Sequence, residues 1–190
     1  MKVKSKKSER QNSLMDLLKE DPFITDEDLA ERFNVSIQTI RLDRMELGIP
    51  ELRERVKSVA ENNFAKVKTI AGKEFVGELI DITPGKSAIS ILDTDKNMVF
   101  EKTKVVKGQH IYAMAETLAL AIVDAKAALT GIANIKYKRP VHSGERMVAK
   151  GEVIRVRGNK FFIWVFIYVN HEEVFRGKFA LVAMDEKEEV

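Results

Sequence analysis

The sequence predicts an α+β protein. It has an N-terminal unit of short helices, an amphipathic connecting helix, and an antiparallel sheet wrapped around one long helix. Three observations carry this. Before residue 50 apolar side chains recur at helical spacing in short runs separated by Pro22, Asn34 and Gly48. After Lys73 the period falls to two, in stretches bounded by Gly, Pro and Asn. Within that alternating region, residues 107–123, KGQHIYAMAETLALAIV, return to helical spacing at Ile111, Met114, Ala115, Leu118, Ile122 and Val123. Its alanines keep this helix slim, so it is expected to be enclosed, and Lys107, His110 and Glu116 are then polar groups in need of water, a partner or a ligand.

Composition narrows the function classes. The chain has 190 residues, 45% hydrophobic and 32% charged, which suits one large or two small globular domains. It contains no cysteine, so a disulfide framework, a thiolate nucleophile and a thiolate metal site are excluded. No apolar core follows MKVKSKKSER and no apolar run is long enough for a span, so a cytoplasmic protein with no membrane association is expected. The net charge of +3 is mild, but Lys2, Lys4, Lys6, Lys7 and Arg10 crowd one end.

A first helix is expected over residues 8–19 from Leu14, Leu17 and Leu18, ended by Asp21-Pro22. Thr25 with Asp28 three residues on is a capping-box start for a second, which Asn34 ends. Ser36 is placed to cap a third, IQTIRLDRMEL, with Ile37, Ile40 and Leu47 inward and Gln38, Thr39, Arg41 and Arg44 outward. This spacing fits a generic three-helix bundle as well as a helix-turn-helix. The residue types favour the second: glutamine can bond adenine, arginine guanine or phosphate, and Ser36 and Thr39 are short enough for phosphate at a helix start. The words VSIQTIRLDR resemble the recognition helix of DeoR-type regulators. On that resemblance Ser36, Gln38, Thr39, Arg41 and Arg44 contact double-stranded operator DNA, and Lys4, Lys6 and Lys7 form a basic arm adding phosphate contacts.

Residues 51–66 form an amphipathic helix, with Leu52, Val56, Val59 and Ala60 on one stripe and Arg53, Arg55, Lys57 and Glu61 on the other. The stripe either packs within its own domain or joins chains or units, the reading preferred here. Strands are expected over residues 74–81, 88–92, 128–137, 146–156, 160–168 and 174–184, with turns at Arg157-Gly158-Asn159 and around Asn170.

Strand, central helix and long meander, with YKRPVHSGERMVAKGEV after the helix, resemble the hot-dog fold of acyl thioesterases and dehydratases. Taken with the N-terminal words DPFITDEDLAERFNVSIQTIRLDR and IPELRERVK, and with EFVGELIDI and KGQHIYAMAETLA, nearly the whole chain resembles the FapR family, repressors of bacterial fatty acid and phospholipid synthesis genes. The resemblance implies a DNA-binding domain with its basic arm at 1–50, a linker helix at 51–69 and a hot-dog effector-binding and dimerisation domain at 70–190. It implies a homodimer released from DNA by malonyl-CoA or a related acyl thioester, with no cofactor and no metal. Effector contacts then fall on Lys107, Gly108, Gln109, Glu116, Phe100 and Glu74.

A ligand carrying phosphates and a carboxylate suits a cation beside free helix-start amides, and Gly108 leaves room for a thioester. Where the family typically has Arg-Gly-His and later Asn, this chain has Lys107-Gly108-Gln109 and Glu116. Lysine keeps the charge but not the bidentate fork, and a glutamate repels malonate unless Lys107 or His110 neutralises it. Ala115-Glu116-Thr117 also resembles the acidic motif of hot-dog thioesterases, in which Glu116 would be the catalytic carboxylate. The absent His-Gly-Gly opening favours a sensor over that enzyme.

Overall fold

The computed structural model describes residues 7–184. The chain divides into two compact units between Val59 and Ala60, within the segment read from sequence as a linker.

The N-terminal unit holds α1 (Lys7–Glu20), α2 (Asp26–Phe33), α3 (Ile37–Glu46) and the start of α4 (Leu52–Phe64). Local chemistry sets the boundaries. The Asp28 amide donates to Thr25 Oγ1 at 3.1 Å, and the Asp28 carboxylate accepts the Thr25 amide, completing the capping box. Asn34 ends α2 at φ 54°, a left-handed conformation that asparagine tolerates better than most residues. The Thr39 amide donates to Ser36 Oγ at 3.2 Å, opening α3. Leu14, Leu18, Leu29, Ala30 and Ile40 meet in a small core.

Charge completes that core. Arg10 pairs with Asp43 through Nε and Oδ2 at 2.6 Å, and Gln11 donates to the same carboxylate at 3.1 Å. The hydrogen bond to Asp43 raises the Arg10 pKa above its ordinary value. Arg55, expected on the polar side of the connecting helix, is instead buried. Its guanidinium donates to the carbonyls of Pro22, Ile24 and Pro50 at 3.0, 2.7 and 2.8 Å, tying the start of α4 to the loop before α2. Burial, and then the nearby Arg44 charge, lower its pKa. Ile37, expected inward, is exposed.

The C-terminal unit is one antiparallel sheet in the order β1 (Glu78–Thr83), β2 (Ser87–Asp93), β4 (Arg146–Arg157), β5 (Lys160–Val169), β6 (Glu172–Met184), β3 (Ala127–Tyr137). One face packs on α5 (Gly108–Ile122). The helix buries Ile111, Met114, Ala115, Leu118, Ala119, Ala121 and Ile122 against alternate residues of the strands, Ile163, Val165, Ile167 and Val169 of β5 among them. Helix and sheet approach closely where β4 passes the end of α5. A Cβ on Gly151 would lie 2.6 Å from Ile122 Cδ1, so only glycine fits without movement. The tight turn between β5 and β6 places Asn170 and His171 at φ 49° and 67°, the left-handed pair of a two-residue hairpin. The first strand begins later than expected. Residues Gly72–Glu74 make a single 3-10 turn, which the Glu74 carboxylate closes by accepting the Ala71 amide at 2.8 Å.

Candidate functional site

At the start of α5, Lys107 is the capping residue in extended conformation and its amide donates to the Met98 carbonyl at 2.8 Å. Val99 pairs with Val106 in an isolated bridge, and the Phe100 amide donates to the Val105 carbonyl, so a short hairpin sets exposed Phe100 near the helix start. The Lys107 side chain is half-buried and has no carboxylate partner among the described residues. Helix geometry leaves the amides of Gly108 and Gln109 without intrahelical acceptors. A lysine and two free backbone donors therefore lie at the same helix start, residue types suited to an anionic group.

The room at Gly108 is already taken. Tyr137, at the end of β3, donates its hydroxyl to the Gly108 carbonyl at 3.0 Å, and a Cβ on Gly108 would come 3.0 Å from that same oxygen. Sequence reasoning assigned this clearance to a ligand; the phenol ring occupies it, stacked edge-on against Phe175 at 5.2 Å. Burial raises the Tyr137 pKa. An open cleft of about 410 Å³ adjoins the ring, lined by Gly108, Ile111, Tyr137, Lys138, Arg139 and Val141. Its cations are paired, Lys138 with Glu173 and Arg139 with Glu172, both at 2.8 Å.

Glu116 lies apart from this cluster. Nine residues along one helix from Lys107 is roughly 13 Å, and six from His110 roughly 9 Å, too far for either side chain of the same chain to pair with it. Neither therefore neutralises Glu116 within one chain. Glu116 Oε1 instead accepts the Tyr112 hydroxyl at 3.1 Å, one turn back. Burial first, and that hydrogen bond second, raise the Tyr112 pKa. Tyr112 and Tyr137 were both missed in sequence, although Tyr112 stands four residues before Glu116, the spacing of a helical pair. Glu74, expected in the effector site, has its carboxylate engaged in the turn described above. No group of three or more His, Asp or Glu side chains among the described residues could hold a metal ion.

In the N-terminal unit, Ser36, Gln38 and Arg41 are exposed at or near the start of α3, and Arg41 Nε lies 3.7 Å from Asp26 Oδ2. Thr39 is half-buried, with its hydroxyl 2.9 Å from Ser36 Oγ. Arg44 is a correction: it is 5% exposed and cannot face DNA. Its Nε and Nη2 grip Asp26 Oδ1 and Oδ2 at 2.8 and 2.7 Å, and Nη1 donates to the Ile49 carbonyl. The helix turns this residue inward beside Ile40 and Asp43, and a guanidinium buried there needs its carboxylate. Lys7 belongs to α1 and pairs with Glu46 at 2.7 Å, while Lys4 and Lys6 lie outside the described residues.

Two family models match. Residues 10–61 match the DeoR-like helix-turn-helix domain, and residues 110–175 the thioesterase superfamily. The transcription factor FapR of Caldanaerobacter subterraneus subsp. tengcongensis is 63% identical over 186 residues, 98% of this chain and 93% of that protein. The transcription factor FapR of Halalkalibacterium halodurans is 48% identical over 179 residues, 94% of this chain and 96% of that protein. Among solved structures, the uncharacterized protein PH1136 of Pyrococcus horikoshii aligns with TM-score 0.58 at 27% identity, covering 63% of this chain and 92% of its own. The Campylobacter jejuni protein Cj0977 aligns with TM-score 0.62 at 20% identity, covering 68% and 92%. With the matched thioesterase model, these neighbours identify the C-terminal unit as a hot-dog fold.

Proposed function

Because this chain belongs to the FapR family of transcription factors, we propose that it represses fatty acid and phospholipid synthesis genes, binding operator DNA as a homodimer and leaving it when malonyl-CoA or a related acyl thioester binds. The observation that carries the reading is Lys107, a half-buried cation without a carboxylate partner among the described residues, at the start of an enclosed helix. That it shares a chain with a DNA-reading helix supports coupling of the two sites. Phosphate and carboxylate groups suit a lysine beside free amides, although lysine lacks the two-pronged grip of arginine. A dimer is supported by β3, an 11-residue edge strand that exposes Leu129, Ile132 and Ile135. Two recognition helices would also be needed to read an inverted repeat.

The test begins with selection of a binding site from random duplexes by the purified full chain, followed by titration of malonyl-CoA into the complex. Release on addition of malonyl-CoA is expected. Lys107→Gln should retain DNA binding and raise the ligand concentration for release roughly tenfold, the loss of one charge-assisted contact. Glu116→Asn should lower it by removing a negative charge. Release by malonyl-CoA that is identical in wild type and Lys107→Gln would remove Lys107 from the effector site.

A second reading, an acyl-CoA thioesterase joined to a DNA-binding unit, draws on Glu116, half-buried on α5 within the segment that matches the thioesterase superfamily. It requires multiple-turnover thiol release that Glu116→Gln abolishes while sparing binding. The expected result is no turnover, since a repressor that hydrolysed its effector would erase its own signal.

A further inference from the structure

The outward side of α3 differs from what its charges alone suggest. Gln38, Arg41, Leu42 and Met45 follow one another at spacings of three, one and three residues, which places them within an arc roughly 100° wide. Ile40, Asp43 and Arg44 occupy the opposite side and are buried. Leu42 is 59% exposed and Met45 75%. One exposed leucine needs no explanation. Two large apolar side chains interleaved with Gln38 and Arg41, on a side of the helix that the described residues of its own unit leave unpacked, do call for a partner.

A helix seated in the major groove presents such a side to base edges. Those edges carry donors, acceptors and a single kind of apolar group, the C5-methyl of thymine. We propose that Leu42 reads a thymine methyl in the operator, with Met45 extending the same apolar contact, so that the helix pairs hydrogen-bond readout by Gln38 and Arg41 with methyl readout. Charge favours DNA over a second copy of the chain as the occupant. A twofold contact through this stripe would bring Arg41 toward its own symmetry mate, whereas DNA offers Arg41 guanine edges and phosphates.

This inference rests on α3 being the recognition helix, and the experiment separates the two. A duplex obtained by selection with the full chain is remade with deoxyuridine at each thymine in turn, which deletes one methyl and leaves every hydrogen-bonding group in place. Affinity should fall roughly fourfold at the thymine that Leu42 touches, the equivalent of one buried methyl group. Leu42→Ala, an exposed change that leaves the packed side of α3 intact, should bind more weakly and show no further loss on the deoxyuridine duplex. Met45→Ala should retain the response at that thymine.

If no duplex is enriched, the DNA-reading assignment fails and this inference with it. If a duplex is enriched and Gln38→Ala or Arg41→Ala weakens it, yet every deoxyuridine duplex binds like the parent, methyl readout is wrong while DNA reading stands. A deoxyuridine response that persists unchanged in Leu42→Ala also overturns it. So does a Leu42→Ala chain whose loss of affinity is matched by dissociation in sedimentation, since the stripe would then be a subunit contact.

Discussion

The N-terminal unit closes over Leu14, Leu18, Leu29, Ala30 and Ile40 together with Arg10, Asp43, Arg44 and Arg55, whereas the C-terminal unit encloses a continuous apolar core whose buried polar side chains are the small Ser90 and Thr94. Size accounts for the difference. Short helices cannot bury much apolar area, so long guanidinium side chains span the gaps between them and fix their angles through paired hydrogen bonds. A six-stranded sheet on a 15-residue helix has apolar surface in excess and specifies itself by shape, as at Gly151. The consequence is an asymmetry of failure: the small unit should collapse when one charge loses its partner, and the large one should yield gradually to lost volume.

The largest effect is expected from Asp43→Ala, which strands Arg10 at 7% exposure and also removes an acceptor for Gln11. Breaking a buried pair from one side costs roughly 3–5 kcal/mol. Helical signal by circular dichroism should fall, and DNA binding with it. Fluorescence of the single tryptophan, Trp164 on β5, reports only the C-terminal unit and should melt as before. Replacing Arg10 and Asp43 together by Met and Leu should recover most of the loss. Coincident loss of both signals in Asp43→Ala would show that the units do not unfold separately.

Leu118→Ala is the counterpart in the larger unit. Leu118 is fully buried in the middle of α5, and deleting its branched end should cost roughly 2–5 kcal/mol, depending on how far the sheet relaxes. Here the tryptophan transition should move down while DNA affinity at low temperature is retained.

The contrast between the units also explains what could be read in advance. Strand alternation, the apolar face of α5, the Thr25-Asp28 cap and the Asn34 stop all rest on short-range periodicity or turn chemistry, so they were legible to within a few residues. Arg44 and Arg55 were not. A charged residue in a short helix is assigned to water unless its partner is known, and the partners Asp26, Pro22 and Ile24 are set by tertiary packing. The proposed effector site rests on Lys107 and Gly108, a cation and a glycine at a helix start, which are local signals. Tyr137 was not, because its approach to Gly108 depends on where β3 ends, 29 residues later.

A smaller effect tests that approach. Tyr137→Phe keeps the ring on Phe175 and deletes the hydroxyl that donates to Gly108, which should cost about 0.5–1.5 kcal/mol in the C-terminal transition alone. Gly108→Ala should displace the same ring by a few tenths of an ångström. If the ring lies beside the effector, both variants should change the malonyl-CoA concentration needed to release DNA. If neither does, Tyr137 serves only to brace the helix start.

The smallest effect separates the units by pH. Glu46 is held below the usual carboxylate range by hydrogen bonds from Lys7 and Gln11, and Glu173 by Lys138 and, after the opposing effect of burial, Arg176. A depressed carboxylate contributes stability that is complete above its unfolded pKa and is lost as pH falls through its folded pKa. Both units should therefore weaken on the acid side of the ordinary carboxylate range, near 4.5 and below. Glu46→Gln should flatten the acid limb of the helical transition and leave the tryptophan transition where it was. Because the Lys7 and Glu46 side chains are 59% and 50% exposed, salt should erase the Glu46 contribution, while the buried Arg10 and Asp43 pair resists it. A helical transition whose acid limb ignores both Glu46→Gln and salt would remove Glu46 from the acid response of the unit.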